Sequence, residues 1–93
     1  MTTKFERDLK TKIKNSEWFI VTRNGCGYCS EAKKLLKHEG KKPRTKLLND
    51  KNKDKIWKVT DKITRQEYRY FPVIFHKGRF LGGYTELKKK FSQ

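Results

Sequence analysis

The chain holds two cysteines, Cys26 and Cys29, and no others. They are three residues apart, follow an apolar run after a short break and open a helical pattern. A cysteine at a helix N-terminus faces unpaired backbone N–H groups and the positive end of the helix dipole, and both favour thiolate over thiol. Arg23 lies three residues upstream and adds a positive charge. Cys26 is therefore expected to titrate in the range of roughly 3.5–7.5 seen at such positions. Cys29 falls one turn into the helix, so it is expected to be more buried and less acidic. That asymmetry predicts a division of labour. The Cys26 thiolate attacks a disulfide sulfur, and Cys29 resolves the mixed disulfide. The other reading of the pair is half a metal site completed by another chain. His38 and His76 have no metal-motif spacing to it, so no metal ligand set is assigned.

The elements that position this pair follow from periodicity. Phe5, Leu9 and Ile13 make one helical stripe over 3–14. The run 17–22 is apolar enough for a buried strand and short for a helix. Asn24-Gly25 breaks the chain, and 28–38 reads as a helix stopped near Gly40. A second strand is expected around 45–48. A helix over 51–63 puts Ile56, Val59 and Ile63 on one face. The run 71–76 predicts a third strand, Lys77-Gly78 turns into a fourth at 79–81, and 84–91 is a last helix. The order α-β-α-β-α-β-β-α implies an α/β fold with a right-handed parallel β-α-β unit, a C-terminal hairpin and a four-stranded mixed sheet covered by helices.

Composition bounds the rest. The 93 residues carry 25 Lys and Arg against 10 Asp and Glu, a formal charge of +15. At this length one domain over 1–93 is expected. No run approaches the roughly 20 apolar residues of a membrane span. The first fifteen residues lack a signal-like apolar block, which predicts a cytoplasmic setting. A strong basic balance first suggests nucleic acid. However, nineteen of the basic residues are Lys and six are Arg, whereas base-reading leans on the Arg fork. A solvated basic surface is the preferred reading.

Three ordered blocks then carry a family resemblance. The strand–CxxC–helix start resembles the thioredoxin superfamily. Within it, Cys26-Gly27-Tyr28-Cys29, then Tyr70-Phe71-Pro72-Val73-Ile74-Phe75, then Leu81-Gly82-Gly83-Tyr84-Thr85-Glu86-Leu87 is similar to the glutaredoxins. Their pattern reads Cys-Pro-Tyr-Cys or a close variant, Thr-Val-Pro, and Gly-Gly followed by a polar or acidic residue and Leu. The blocks run from Trp18 to Leu87, nearly the whole chain.

The resemblance implies a thioredoxin-like fold and a glutathione site. By it, the Phe71–Pro72 bond is cis, and Phe71 offers its backbone to an extended cysteinyl peptide such as glutathione. Gly82 and Gly83 allow close backbone approach. The following helix N-terminus suits the γ-glutamyl carboxylate. Thr85 would cap that helix and bond the ligand, and Glu86 would receive the γ-glutamyl ammonium. Arg23, where the family usually has Lys, would hold the glycyl carboxylate, and Tyr28 would flank the tripeptide. Lys55 and Lys58 are third-helix candidates, and neither is assigned. From the residues alone, the other readings are an edge-strand proline at Pro72 and a tight turn with an ordinary cap at Gly82-Gly83.

The implied activity is a monomeric glutathione-dependent thiol–disulfide oxidoreductase. It would reduce protein disulfides and glutathione mixed disulfides, with ribonucleotide reductase a frequent client of the family. The alternatives are a redoxin served by a thioredoxin reductase, and a basic module for nucleic acid or an acidic partner. Three features depart from the family, over four positions. Gly27 replaces Pro, Tyr70-Phe71 replaces Thr-Val, and Glu86 replaces Asp. The first opens one more cofactor reading, since some glutaredoxins lacking that Pro bridge a [2Fe–2S] cluster through Cys26-type thiolates of two subunits and two glutathiones.

Overall fold

A computed structural model describes residues 3–92. Its elements are α1 (Lys4–Asn15), β1 (Trp18–Thr22), α2 (Gly27–His38), β2 (Arg44–Leu47), α3 (Lys53–Thr64), β3 (Val73–His76), β4 (Arg79–Gly82) and α4 (Tyr84–Phe91). The sheet order is β2-β1-β3-β4. β1 runs parallel to β2 and antiparallel to β3, and β3 and β4 form the hairpin. This is the expected thioredoxin-like order.

β1 is buried along all five residues, because helices cover both faces of a central strand. Alternate side chains feed two cores. Phe19 and Val21 join Val73 and Phe75 against Leu9 and Ile13 of α1 and Ile56 and Val59 of α3. Trp18, Ile20 and Ile74 meet Ala32 and Leu36 of α2 and Leu87 of α4. The molecule is thus three layers, α1/α3, sheet and α2/α4. Central β1 delivers its C-terminal end, and the Cys-x-x-Cys that follows, to one rim of the sheet.

Two boundaries differ from the sequence reading. α3 begins at Lys53 because the preceding asparagines bond locally. Asn49 Oδ1 accepts from the Lys51 and Asn52 N–H groups (2.9 and 3.0 Å), and Asn52 Oδ1 accepts from Asn49 N–H (2.8 Å). Such side-chain turns compete with the first helical turn. Pro72 does not interrupt β3 but precedes it. Registered β1–β3 pairing ends at Val21 opposite Val73, which leaves Phe71 and Pro72 beyond the ladder, where proline's missing donor matters little.

At the opposite rim His76 stacks on Trp18, with ring centroids 3.9 Å apart. Burial, then Lys90 and Lys77, holds the His76 pKa below its ordinary value, with Glu17 opposing. The unfolded chain therefore binds more protons than the folded one between the lowered pKa and about 6.5. Stability is expected to rise with pH through that window and to fall on acidification. His76→Phe keeps an aromatic face on Trp18 and removes the titration. Urea midpoints at pH 5.5 and 7.5 should therefore differ less in the variant than in the wild type. An unchanged difference would exclude His76 as the titrating group.

Candidate active site

The site is built where β1 hands over to α2. The chain leaves Thr22, turns through Arg23–Gly25, and enters α2 with Cys26 as its N-cap. Gly25 sits at φ +73°, a left-handed conformation that glycine adopts without a Cβ penalty. The Cys29 backbone N–H donates to Cys26 Sγ at 3.1 Å. The sulfur thereby takes the role that a Ser or Asp oxygen plays in an ordinary N-cap. Cys26 and Cys29 are joined as a disulfide, with Cα atoms 5.3 Å apart. Cys29 is buried and Cys26 is half-buried. Cys26, Cys29, Arg23, Ser30 and Lys33 line one shallow cavity with the connecting backbone. On reduction, the Cys29 N–H and the dipole of a 12-residue helix both face Cys26.

A second wall reaches the site through Arg23. Its guanidinium lies 5.1 Å over the Phe71 ring, and Phe71 packs on Trp57 of α3 at 5.5 Å. Arg69 joins this cluster, 4.3 Å over Trp57. It is held by a two-pronged pair with Asp61, Nη1–Oδ1 2.7 Å and Nη2–Oδ2 3.0 Å. Sequence reading missed Trp57, Asp61 and Arg69 as supports, because their partnership spans α3 and the loop after it. Of the two third-helix lysines, Lys55 lies 5.7 Å over Phe5 of α1. Lys58 lines a cleft with Glu6, Arg7 and Lys10. Both thus turn toward α1.

The third wall is the end of β4. The Phe71–Pro72 peptide bond is cis, as the resemblance implies, and Gly82 has φ +132°. A Cβ on Gly83 would lie 2.9 Å from the Tyr68 hydroxyl and 3.5 Å from the Pro72 carbonyl oxygen, so the missing side chain is what lets Pro72, Tyr68 and α4 converge. The cap of α4 differs from expectation. Gly83 is the N-cap residue, and Glu86 Oε1 accepts its backbone N–H at 2.7 Å. Thr85 is exposed at the second helical position and makes no capping bond. The reason is positional: Gly83 has no side chain to cap with, so the residue three places on reaches back instead. Tyr68 is a further residue that sequence reading missed. Burial, then Glu86 and Tyr70, pushes its pKa up. Tyr28, exposed at the start of α2, stacks 5.7 Å from Tyr84 at the start of α4.

Contacts therefore link Arg23, Phe71, Pro72, Gly83 and Glu86 in an arc that begins beside the dithiol. Tyr28 stands on the α4 side, and Thr85 lies outside the contacts that form the arc. A Cys-x-x-Cys pair at the N-terminus of the first crossover helix, on this sheet order, defines a dithiol oxidoreductase of thioredoxin-like fold. The glutaredoxin family model matches residues 19–81, about two thirds of the chain. The chain belongs to the glutaredoxin family, and with both active-site cysteines present it is a glutathione-dependent thiol–disulfide oxidoreductase.

Solved structures agree in fold. The buckwheat glutaredoxin–glutathione complex superposes with a TM-score of 0.79 at 24% identity, covering 97% of this chain and 86% of that one. Glutaredoxin 1 from Francisella tularensis, complexed with cacodylate, gives 0.71 at 26%, covering 81% and 91%. Reduced glutaredoxin C1 from Populus tremula x tremuloides gives 0.74 at 21%, covering 99% and 82%. Among curated protein sequences none matches.

Proposed function

We propose that the arc from Arg23 to Glu86 is the glutathione seat and that Cys26 is the nucleophile served by it. The observation that carries this reading is that Arg23 shares a cavity with Cys26 and begins a run of contacts through Phe71, beyond the β3 ladder, to the Gly83 N-cap. An extended cysteinyl peptide offers functional groups in that order. Its backbone pairs with Phe71 as an added strand. Its glycyl carboxylate meets the Arg23 guanidinium. Its γ-glutamyl carboxylate meets the N-terminus of α4. Glu86 and Tyr68 supply an acceptor and a donor to the γ-glutamyl head. The buckwheat protein binds glutathione on the same fold.

The chemistry is thiol exchange. With a glutathionylated client, Cys26 thiolate attacks the glutathione sulfur. The client–glutathione bond breaks, a Cys26–glutathione disulfide forms, and the client leaves as thiolate and takes a proton from water. A second glutathione thiolate then attacks the glutathione sulfur of that bond, releasing glutathione disulfide and restoring Cys26. With a protein disulfide, Cys26 first bonds a client sulfur. Cys29 thiolate then attacks Cys26, closing the disulfide and freeing the second client thiol. Two glutathiones reopen it.

The same reading extends to a monomer working in a reducing, cytoplasm-like compartment, where such dithiols are kept reduced. Ribonucleotide reductase is one client that the family resemblance implies. Among the described residues no helix is long and apolar enough to cross a membrane. A [2Fe–2S] cluster needs four thiolates; this chain would supply one of them, Cys26, since Cys29 is buried, and the others would come from a second copy's Cys26 and two glutathiones.

The separating experiment compares reductants. Glutathione is expected to sustain reduction of a small glutathione mixed disulfide, and Arg23→Glu to raise the KM for glutathione roughly tenfold through loss of a charge-assisted contact. A rate sustained only by a thioredoxin reductase would remove the glutathione reading.

A further inference from the structure

The dithiol cavity does not end at the active site. Its lining includes Arg23, Cys26 and Lys33, and a second groove begins at Lys33 and continues past Lys37 to Lys41 and Lys42. The cause lies in α2 itself. Cys26, Ser30, Lys33 and Lys37 fall at helical spacings on one stripe, and the loop into β2 lays Lys41 and Lys42 beside its end. No Asp or Glu is among the residues lining either groove. Among the described residues, the one acid paired with this set is Glu17, whose carboxylate lies 3.8 Å from Lys41 Nζ. This track lies on the α2 and β2 side, away from the Phe71–Gly83 wall.

We infer that this basic track docks an acidic polypeptide segment flanking the reducible cysteine of a protein client. The inference rests on the oxidoreductase reading above and names the substrate class for it. Charge complementarity sets the sign of the partner. Continuity with Cys26 requires that the partner also bring a sulfur, which nucleic acid does not. Neither groove has an aromatic side chain in its lining, whereas single-stranded nucleic acid sites stack bases on aromatics. Length sets the reach. The eleven steps from Cys26 to Lys37 rise about 16 Å along the helix, a span that an extended chain covers in about five residues. Acidic residues within about five positions of the client cysteine are the recognition feature, and the wider +15 field steers their approach.

The test uses two decapeptides, each carrying one cysteine as a glutathione mixed disulfide. One has four Glu within five positions of the cysteine, and the other has Gln there. At about 20 mM salt the Glu peptide is expected to be reduced roughly tenfold faster in kcat/KM, and the advantage is expected to shrink toward unity at about 300 mM. Lys37→Glu/Lys42→Glu should abolish the advantage and leave reduction of a hydroxyethyl–glutathione disulfide unchanged. Lys37→Gln/Lys42→Gln, which avoids an acid at the helix end, should remove part of it. Lys10→Glu/Lys62→Glu makes the same net-charge change on the α1/α3 layer and should keep most of it. Equal rates for the two peptides would overturn the inference. So would an advantage that survives charge reversal at Lys37 and Lys42, or one lost equally in the Lys10/Lys62 variant. Fluorescence anisotropy of a labelled Glu peptide with Ser for Cys reads the docking without chemistry. If the wild type fails on the small disulfide, the oxidoreductase reading falls, while the anisotropy still decides the track. An oligo-dT strand that binds more tightly than this peptide, and loses binding in the same Lys37/Lys42 variants, would assign the track to nucleic acid instead.

Discussion

Cys26→Ser is expected to bring glutathione-coupled reduction down to the uncatalysed rate on every substrate, whereas Cys29→Ser should keep much of the activity on small mixed disulfides and lose it on protein disulfides. The asymmetry follows from the helix start. Cys26 Sγ receives the Cys29 N–H at 3.1 Å and is half-buried, while Cys29 is buried inside the first turn. A serine oxygen at position 26 could accept the same N–H, so the helix should remain capped. What disappears is the thiolate, the species that exchanges with disulfides. Removal of a sole covalent nucleophile costs on the order of a thousandfold or more. Cys29 is needed only to expel a client from Cys26, and free glutathione can do this when the partner is a small mixed disulfide. The readout is NADPH oxidation coupled through glutathione reductase, run on both substrate types. Far-UV circular dichroism confirms that each variant is folded. Activity surviving without Cys26 would sink the assignment of the nucleophile. Equal losses in both variants would sink the division of labour between the two cysteines.

The dithiol was legible because the site is local. Strand, break, Cys-x-x-Cys and amphipathic helix are consecutive, and each obeys its own periodicity. The central strand was legible as a continuous apolar run, but its division between two cores was not, because Trp18–Val21 are apolar on both faces and only the helices packed on each side separate them. The features that were not legible depend on partners brought together by the crossovers. Lys55 and Lys58 looked available to a ligand, but the angular position of α3 against α1 turns them toward Phe5 and Glu6. Thr85 looked like a cap because Thr commonly is one. It was displaced because the true N-cap is a glycine, a fact fixed by where β4 ends. Continuity of the Lys33–Lys42 track likewise depends on the loop after α2 folding back to β2. The raw charge of +15 gave no direction. The fold supplies one by collecting part of it beside the reactive sulfur.

Gly82→Ala should lower stability by about 2–4 kcal/mol. Two independent penalties combine. At φ +132° a side chain is strained whatever the space around it, which costs of order 1–3 kcal/mol. The new Cβ would also stand 2.5 Å from Glu86 Oε1 and 2.7 Å from its Cγ. Glu86 would have to swing away and release the Gly83 N–H it holds at 2.7 Å, and a lost N-cap contributes about 1 kcal/mol. The second penalty can be isolated. Glu86→Ala alone should cost about 1 kcal/mol, but in the Gly82→Ala background it should cost almost nothing, because the cap is already broken. A double-mutant cycle by urea denaturation should therefore show a coupling of about 1 kcal/mol. Strict additivity would mean that Glu86 does not cap α4 through Gly83. The same variants bear on the glutathione seat. If the Gly83 N–H and Glu86 meet the γ-glutamyl head, both should raise the KM for glutathione while leaving the intrinsic alkylation rate of reduced Cys26 unchanged. A fall in that alkylation rate with KM intact would place the effect on the dithiol instead.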